Sequence, residues 1–151
     1  MCGILGIVNV ENREPVDPQL LERMAATMAH RGPDGAGVWV QPDGQCGLAH
    51  RRLSIVDLSE AGHQPMGTPD EKLWVTFNGE IYNYPELRKR METRGHRFRS
   101  NSDTEVILYL YREYGERFLE QLDGDFGIGL WDCERQRLIL TRDRAGVKPV
   151  Y

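Results

Sequence analysis

Apolar residues fall into short runs punctuated by glycine, proline and asparagine, and the runs alternate between strand-like and helix-like spacing. Residues 3–9 read as a buried strand, because Ile4, Leu5, Ile7 and Val8 are apolar and two glycines permit close backbone approach. Asp17 with Pro18 marks a helix start, and Leu20, Leu21, Met24, Ala25 and Met28 share one face before Gly32 ends the run. Strand-like segments follow at 37–40, 46–49, 53–56 and 73–77, separated by Pro42-Asp43-Gly44 and by a loop over 62–69. Their short links predict antiparallel pairing. Pro85 opens a second helix through Met91, whose outer face carries Arg88, Lys89, Arg90 and Arg94 and reads as a solvated face rather than a binding patch. Ser102 and Glu105 form a capping-box pattern ahead of Val106, Ile107, Leu110, Tyr111 and Tyr114, so a third helix runs to Gly115, followed by a short amphipathic piece to Leu122. Residues 126–131 and 138–141 read as a hairpin. Sheets flanked by helices are implied.

Composition narrows the class. With 151 residues and 40% hydrophobic content, the chain suits one domain with a substantial core. A net charge of −4 offers no positive field for nucleic acid or an acidic membrane surface, so small-molecule chemistry is favoured. Cys2, Cys46 and Cys133 show neither C-x-x-C pairing nor a histidine at metal-like spacing, which argues against a zinc site or a disulfide framework and for a reducing, cytosolic setting. No signal peptide or apolar run of membrane-spanning length is visible. His50, His63 and His96 lack ligand-like partners, and no metal site is expected.

The chemistry starts at Cys2. Once Met1 is removed, this residue carries both a thiol and a free α-amine, and an amine titrating near ~8 can accept the thiol proton at neutral pH. Taken alone, Cys2 reads first as a small buried residue at the head of a strand; other segments of the chain change that. Asn78-Gly79 follows the 73–77 segment and places an amide and an unhindered N–H at a strand end, where both can donate to an oxyanion; read locally it is also a turn signal. Cys46 and Cys133 lack the terminal amine and read as inert thiols.

The motifs gain meaning in combination. Cys2-Gly3-Ile4 at the start, His30-Arg31-Gly32-Pro33-Asp34-Gly35, Ala49-His50-Arg51-Arg52-Leu53-Ser54-Ile55-Val56-Asp57, Gly62-His63-Gln64-Pro65-Met66 and Phe77-Asn78-Gly79-Glu80-Ile81-Tyr82-Asn83 occur in that order. Ser102-Asp103-Thr104-Glu105-Val106, Leu122-Asp123-Gly124-Asp125-Phe126 and Arg142-Asp143-Arg144-Ala145-Gly146-Val147-Lys148-Pro149 continue the series, so it covers essentially the whole chain. The chain resembles the class II glutamine amidotransferase domain of glutamine-hydrolysing asparagine synthetases.

That resemblance implies an α+β fold, the N-terminal-nucleophile hydrolase sandwich of two antiparallel sheets between helical layers. It implies Cys2 as nucleophile, with Asn78 and Gly79 forming the oxyanion hole. Arg52 matches the residue gripping the glutamine α-carboxylate, a task suited to a planar guanidinium. Glu80 and Asp103 match the acceptors of the α-ammonium; helix capping is the other reading of Asp103. Ile55 and Val56 match pocket-lining positions, with core packing an equal alternative. His30 and Arg31 are expected to support the pocket rather than to act in catalysis.

The family's ATP-dependent synthetase domain is absent from this sequence, and the glutaminase domain normally runs past Tyr151, so the chain is expected to end inside its own fold and to be unstable alone. ATP and magnesium are expected only in that downstream domain, which would be the partner in the same polypeptide; a homodimer is an option in the full-length enzyme. Two other readings stay open: a degenerate module that binds without catalysis, which Cys2 opposes, and an amidase for another amide, which Arg52, Glu80 and Asp103 oppose. Relatives that amidate other carboxylates share these motifs, so the ammonia acceptor is open as well.

Overall fold

A computed structural model describes residues 1–11, 14–54 and 59–151. Among the described residues, seven strands form two antiparallel sheets. Strands β1 (Gly3–Val8), β2 (Gly35–Val40) and β3 (Cys46–Arg52) make one sheet in the order β1-β3-β2. Strands β4 (Met66–Gly67), β5 (Leu73–Ile81), β6 (Gly124–Asp132) and β7 (Arg137–Arg142) make the other in the order β4-β5-β6-β7. The two sheets pack face to face, with β1 and β3 against β5 and β6. Helix α1 (Pro18–Ala26) covers the outer face of the first sheet, and α3 (Thr104–Tyr114), backed by α2 (Tyr84–Thr93), covers the second. The result is the four-layer sandwich that the resemblance implied.

The layers follow from the sequence. The Asp17 carboxylate caps α1 by accepting the Gln19 N–H at 2.9 Å, and Leu21 and Ala25 bury against Ala49 and Val16. The helix stops at Ala26, short of Gly32, and its buried face is narrower than its periodicity suggests, since Leu20 and Met24 remain exposed. Helix α3 is nearly all apolar through Tyr111 because it is enclosed by the second sheet on one side and by α2 on another. Gly115, at φ 57°, ends it.

Three local readings change. The capping box does not close: Ser102 Oγ accepts the Thr104 N–H at 3.1 Å, but Glu105 turns back to the Ser100 N–H at 2.8 Å and the Arg99 N–H at 3.0 Å, tying down the approach to the helix. The third segment of the first sheet ends at Arg52, so residues 53–54 are not strand, and 55–56 lie outside the described residues. Asn78-Gly79 is no turn. Strand β5 runs straight through it to Ile81, because Gly79 and Gly124 bring β5 and β6 closer than a side chain permits: a Cβ on Gly79 would stand 2.1 Å from the Asp125 carbonyl oxygen. The basic face of α2 is partly stapled to the protein, with Arg88 over the Phe98 ring and Arg90 and Arg94 over Tyr114.

Candidate active site

The pocket opens where the start of β1, the end of β3, the second half of β5 and the start of α3 converge. It encloses about 170 Å³, and its walls include Cys2, Arg52, Asn78, Gly79, Glu80 and Asp103. Drug-sized ligands occupy about 300–1,000 Å³, so this space suits a metabolite of amino-acid size. All six described residues singled out in the sequence meet there; Ile55 and Val56, the other two, lie outside the described residues.

Cys2 is held from three directions. The Leu53 N–H donates to its Sγ at 3.3 Å, and the Leu53 carbonyl lies 3.6 Å from the same sulfur. Arg31 Nε donates to the Cys2 carbonyl at 3.2 Å, so Arg31 carries the supporting role assigned to its motif while His30 stays exposed. The rest of that motif binds the chain after β3. Asp34 donates its N–H to the Arg52 carbonyl at 3.0 Å, and its carboxylate accepts the Ser54 N–H at 2.9 Å. Gly32 makes this possible, because a Cβ there would sit 2.3 Å from the Arg51 carbonyl carbon.

The other cysteines differ in kind. Burial pushes the Cys46 thiol up to about 12 and the Cys133 thiol up to about 11, so neither forms a thiolate at neutral pH.

The polar groups divide by chemistry. Asn78 is buried at 5% exposure and its amide makes no hydrogen bond among the described residues, although the side chain borders the pocket. Arg52 is also largely buried, and one guanidinium N–H donates to the Ser59 carbonyl at 3.0 Å. Asp103 accepts the Ile81 N–H at 2.9 Å. Burial raises the Asp103 pKa, and the negative charge of Glu80 adds to the rise. A cation placed beside Asp103 would relieve the burial and the Glu80 charge that oppose its ionisation. A guanidinium on one wall and two carboxylates on another give the pocket groups of both charge signs.

Further pocket groups escaped the sequence reading. The Lys148 ammonium donates to Asp125 at 2.6 Å beside Tyr82, and the Asp143 carboxylate gathers the N–H groups of Phe126, Val147 and Lys148 to fix that corner. These donations hold the Asp143 carboxyl down at about 2. Gln64, Ser102 and Thr104 also line the pocket. Gln64, Thr104 and Lys148 each stand in a motif that carries the resemblance, while Ser102 reads from sequence as a helix cap. Among the described residues, no three or more His, Cys, Asp or Glu side chains are placed to hold a metal ion, and no helix is long and apolar enough to cross a membrane.

Residues 1–151 match the family described as glutamine amidotransferase domain. The chain belongs to that family. This amidotransferase domain is 40% identical to asparagine synthetase [glutamine-hydrolyzing] 3 of Bacillus subtilis (strain 168), 42% to the asparagine synthetase of Sandersonia aurantiaca and 41% to that of Zea mays. Each match covers 100% of this chain but only 24%, 28% and 25% of those relatives, so the chain spans about a quarter of their length. Among solved structures it is similar to the glutamine phosphoribosylpyrophosphate amidotransferase of B. subtilis, with a TM-score of 0.79 and 20% identity over 97% of this chain and 38% of that one. The last likeness concerns the fold alone, two antiparallel sheets flanked by helices.

Proposed function

We propose that this domain hydrolyses glutamine to glutamate and ammonia with Cys2 as the nucleophile. One observation carries the reading: the Cys2 thiol shares a single amino-acid-sized pocket with Asn78 and Gly79 and with a zwitterion-complementary set of Arg52, Glu80 and Asp103. With Met1 removed, the α-amine of Cys2 takes the thiol proton and the sulfur attacks the side-chain amide carbon of glutamine. The negative oxygen of the tetrahedral adduct lies between the Asn78 amide and the Gly79 N–H. The amine returns its proton to the departing nitrogen, ammonia leaves, and a γ-glutamyl thioester remains. Water then adds to the thioester carbon, the sulfur leaves with a proton, and glutamate is released. Met1 borders the same pocket, so its removal both frees the base and enlarges the cavity.

The ammonia goes, on this reading, to an ATP-dependent synthetase domain of the full-length protein, which forms asparagine from aspartate and would hold ATP and magnesium. The names of the relatives and the quarter of their length that this chain spans support it. Glutamate release assayed with glutamine, asparagine and a simple aliphatic amide tests the hydrolysis. Release from glutamine well above the other two is expected; equal turnover of the simple amide would exclude a role for Arg52, Glu80 and Asp103 in selecting a free amino acid.

A further inference from the structure

Strand β5 has one paired edge and one edge that is largely without a strand. Tyr82 donates its N–H to the Asp123 carbonyl, on the β6 side, so the backbone groups of Asn78 and Glu80 face β6 and those of Val75, Phe77, Gly79 and Ile81 face the other way. On that other edge β4 covers only Trp74 and Val75. Further along, side chains take over. The Phe77 N–H donates to Gln64 Oε1 at 2.7 Å, and the Phe77 carbonyl accepts from His50 Nε2 at 3.1 Å. Four residues on, the Ile81 N–H is taken by Asp103. Gly79 lies between them, with its N–H facing the pocket.

We propose that Gln64 and His50 are positioning residues of the oxyanion hole, replacing at Phe77 the neighbouring strand that β5 lacks, so that the next N–H on that edge, that of Gly79, is presented to substrate oxygen. The inference rests on the reading of Asn78 and Gly79 as the oxyanion hole.

Three features set the two side chains apart from ordinary core polars. Gln64 is gripped at both ends: its Nε2 donates to Thr104 Oγ1 at 3.2 Å, next to Asp103, so one amide links the β5 edge to the start of α3. Its backbone is pressed onto the first sheet, where a Cβ on Gly37 would stand 2.0 Å from the Gln64 carbonyl oxygen. Gly37 is the register partner of His50, so the Gln64 backbone packs beside the strand pair that carries His50. His50, at 1% exposure, leaves Nδ1 with no hydrogen-bond partner among the described residues. An apolar residue would avoid that unsatisfied nitrogen, so the imidazole is explained by its bond to Phe77. A strand could pair Phe77 but would also pair Gly79; side chains pair the first and leave the second open.

The test uses the full-length native protein and four measurements: kcat and KM for glutamine, affinity for glutamate, affinity for glutamate γ-semialdehyde, and the unfolding midpoint. The Cys2 thiol adds across the aldehyde carbonyl, sulfur to carbon and proton to oxygen, so this probe places an adduct oxygen in the hole whereas glutamate does not. Gln64→Met, which keeps length but removes the acceptor, should lower kcat by about tenfold or more and weaken aldehyde binding in parallel, with KM and glutamate affinity changed by less than roughly threefold. Gln64→Glu, which can still accept the Phe77 N–H, should recover most of the kcat. If Gln64→Met does not fold, Thr104→Val, which frees only the far end of the Gln64 amide, must show the same split to a smaller degree. A folded Gln64→Met with unchanged kcat, beside an Asn78→Ala that loses its own, overturns the positioning role and leaves the oxyanion hole standing. Unchanged kcat in both overturns the oxyanion hole and this proposal with it.

Discussion

The backbone N–H of Leu53 points at the sulfur of Cys2 from 3.3 Å, and the residue before Leu53 is Arg52. The nucleophile and the group assigned to the substrate's α-carboxylate are thus referenced to one short piece of chain at the end of β3. That piece is held by Asp34 from both sides, through its own N–H and its carboxylate. On the proposed reading, the spacing between the reacting end and the recognised end of the substrate is set by that piece.

Replacing Cys2 by Ala should therefore abolish glutamate release while leaving the fold intact, because the sulfur's contacts are to backbone of Leu53 and contribute little to the core. Any synthesis supported by added ammonia in the full-length protein should continue. Steady-state glutaminase and ammonia-dependent assays on the same preparation decide it; residual hydrolysis near the wild-type rate would remove Cys2 from the mechanism.

Asn78 and Arg52 should separate on the kinetic axes. On the proposed reading Asn78 donates to the developing oxyanion, so Asn78→Ala should cost kcat by ~10²-fold or more with a modest change in KM. On the same reading Arg52 binds the end of glutamine that does not react, so Arg52→Ala should raise KM strongly, with some loss of kcat from misplacement. Full Michaelis curves for both variants are the measurement, and an unchanged KM in Arg52→Ala would refute its assignment.

Asp103 is predicted to trade stability for recognition. Its folded-state pKa is raised, first by burial and then by Glu80, so its ionised form is less favourable in the folded protein than in the unfolded chain. For an acid this penalty is fully present above the folded-state pKa and disappears as pH falls below the unfolded value. Asp103→Asn keeps an oxygen for the Ile81 N–H and removes the charge, so at neutral pH the ligand-free variant should melt higher than wild type while its KM for glutamine rises. A lower melting temperature would show that the carboxylate is better satisfied in the empty pocket than its surroundings imply.

The legible parts of this protein were those that local pattern controls. Helix α3 announced itself by apolar periodicity and by Gly115, and β1, β6 and β7 by short apolar runs, because each buries a face dictated by its own residues. Asn78-Gly79 was misread locally because the signal for a turn is the freedom of glycine, and here glycine serves a close approach between strands instead. The two-residue strand β4 gave no signal of its own, and its place is set by pairing with Trp74 and Val75. Cys2 and Asn78-Gly79 were legible from their own chemistry, but Arg52, Glu80 and Asp103 came through the resemblance, since no spacing reveals that they meet Cys2. Gln64 and Lys148 were present in the quoted motifs, yet their roles depend on which backbone groups and carboxylates face them across the sandwich, a property of tertiary packing alone.

His50 supplies the last prediction, a pH dependence. Its pKa is lowered from 6.5 to about 4, chiefly by burial, with the charges of Arg52 and His63 pushing the same way and the Phe77 carbonyl opposing. Between those two values the unfolded chain binds the proton and the folded protein does not, so the neutral imidazole's contribution to stability is fully present above 6.5 and is lost as pH falls toward 4. One group shifted this far is worth at most about 3 kcal/mol, which is a sizeable part of the ~5–15 kcal/mol that holds a domain together. Carboxylates titrate in the lower part of the same window, so the wild-type curve alone does not isolate the histidine. His50→Gln keeps a donor for the Phe77 carbonyl but cannot titrate. Denaturant unfolding of both proteins at intervals from pH 7 to pH 4 should show the wild type losing stability more steeply than the variant, with the curves diverging below about 6.5. Parallel curves would mean that His50 is as accessible to protons in the folded protein as in the unfolded chain, which its burial between the sheets does not allow.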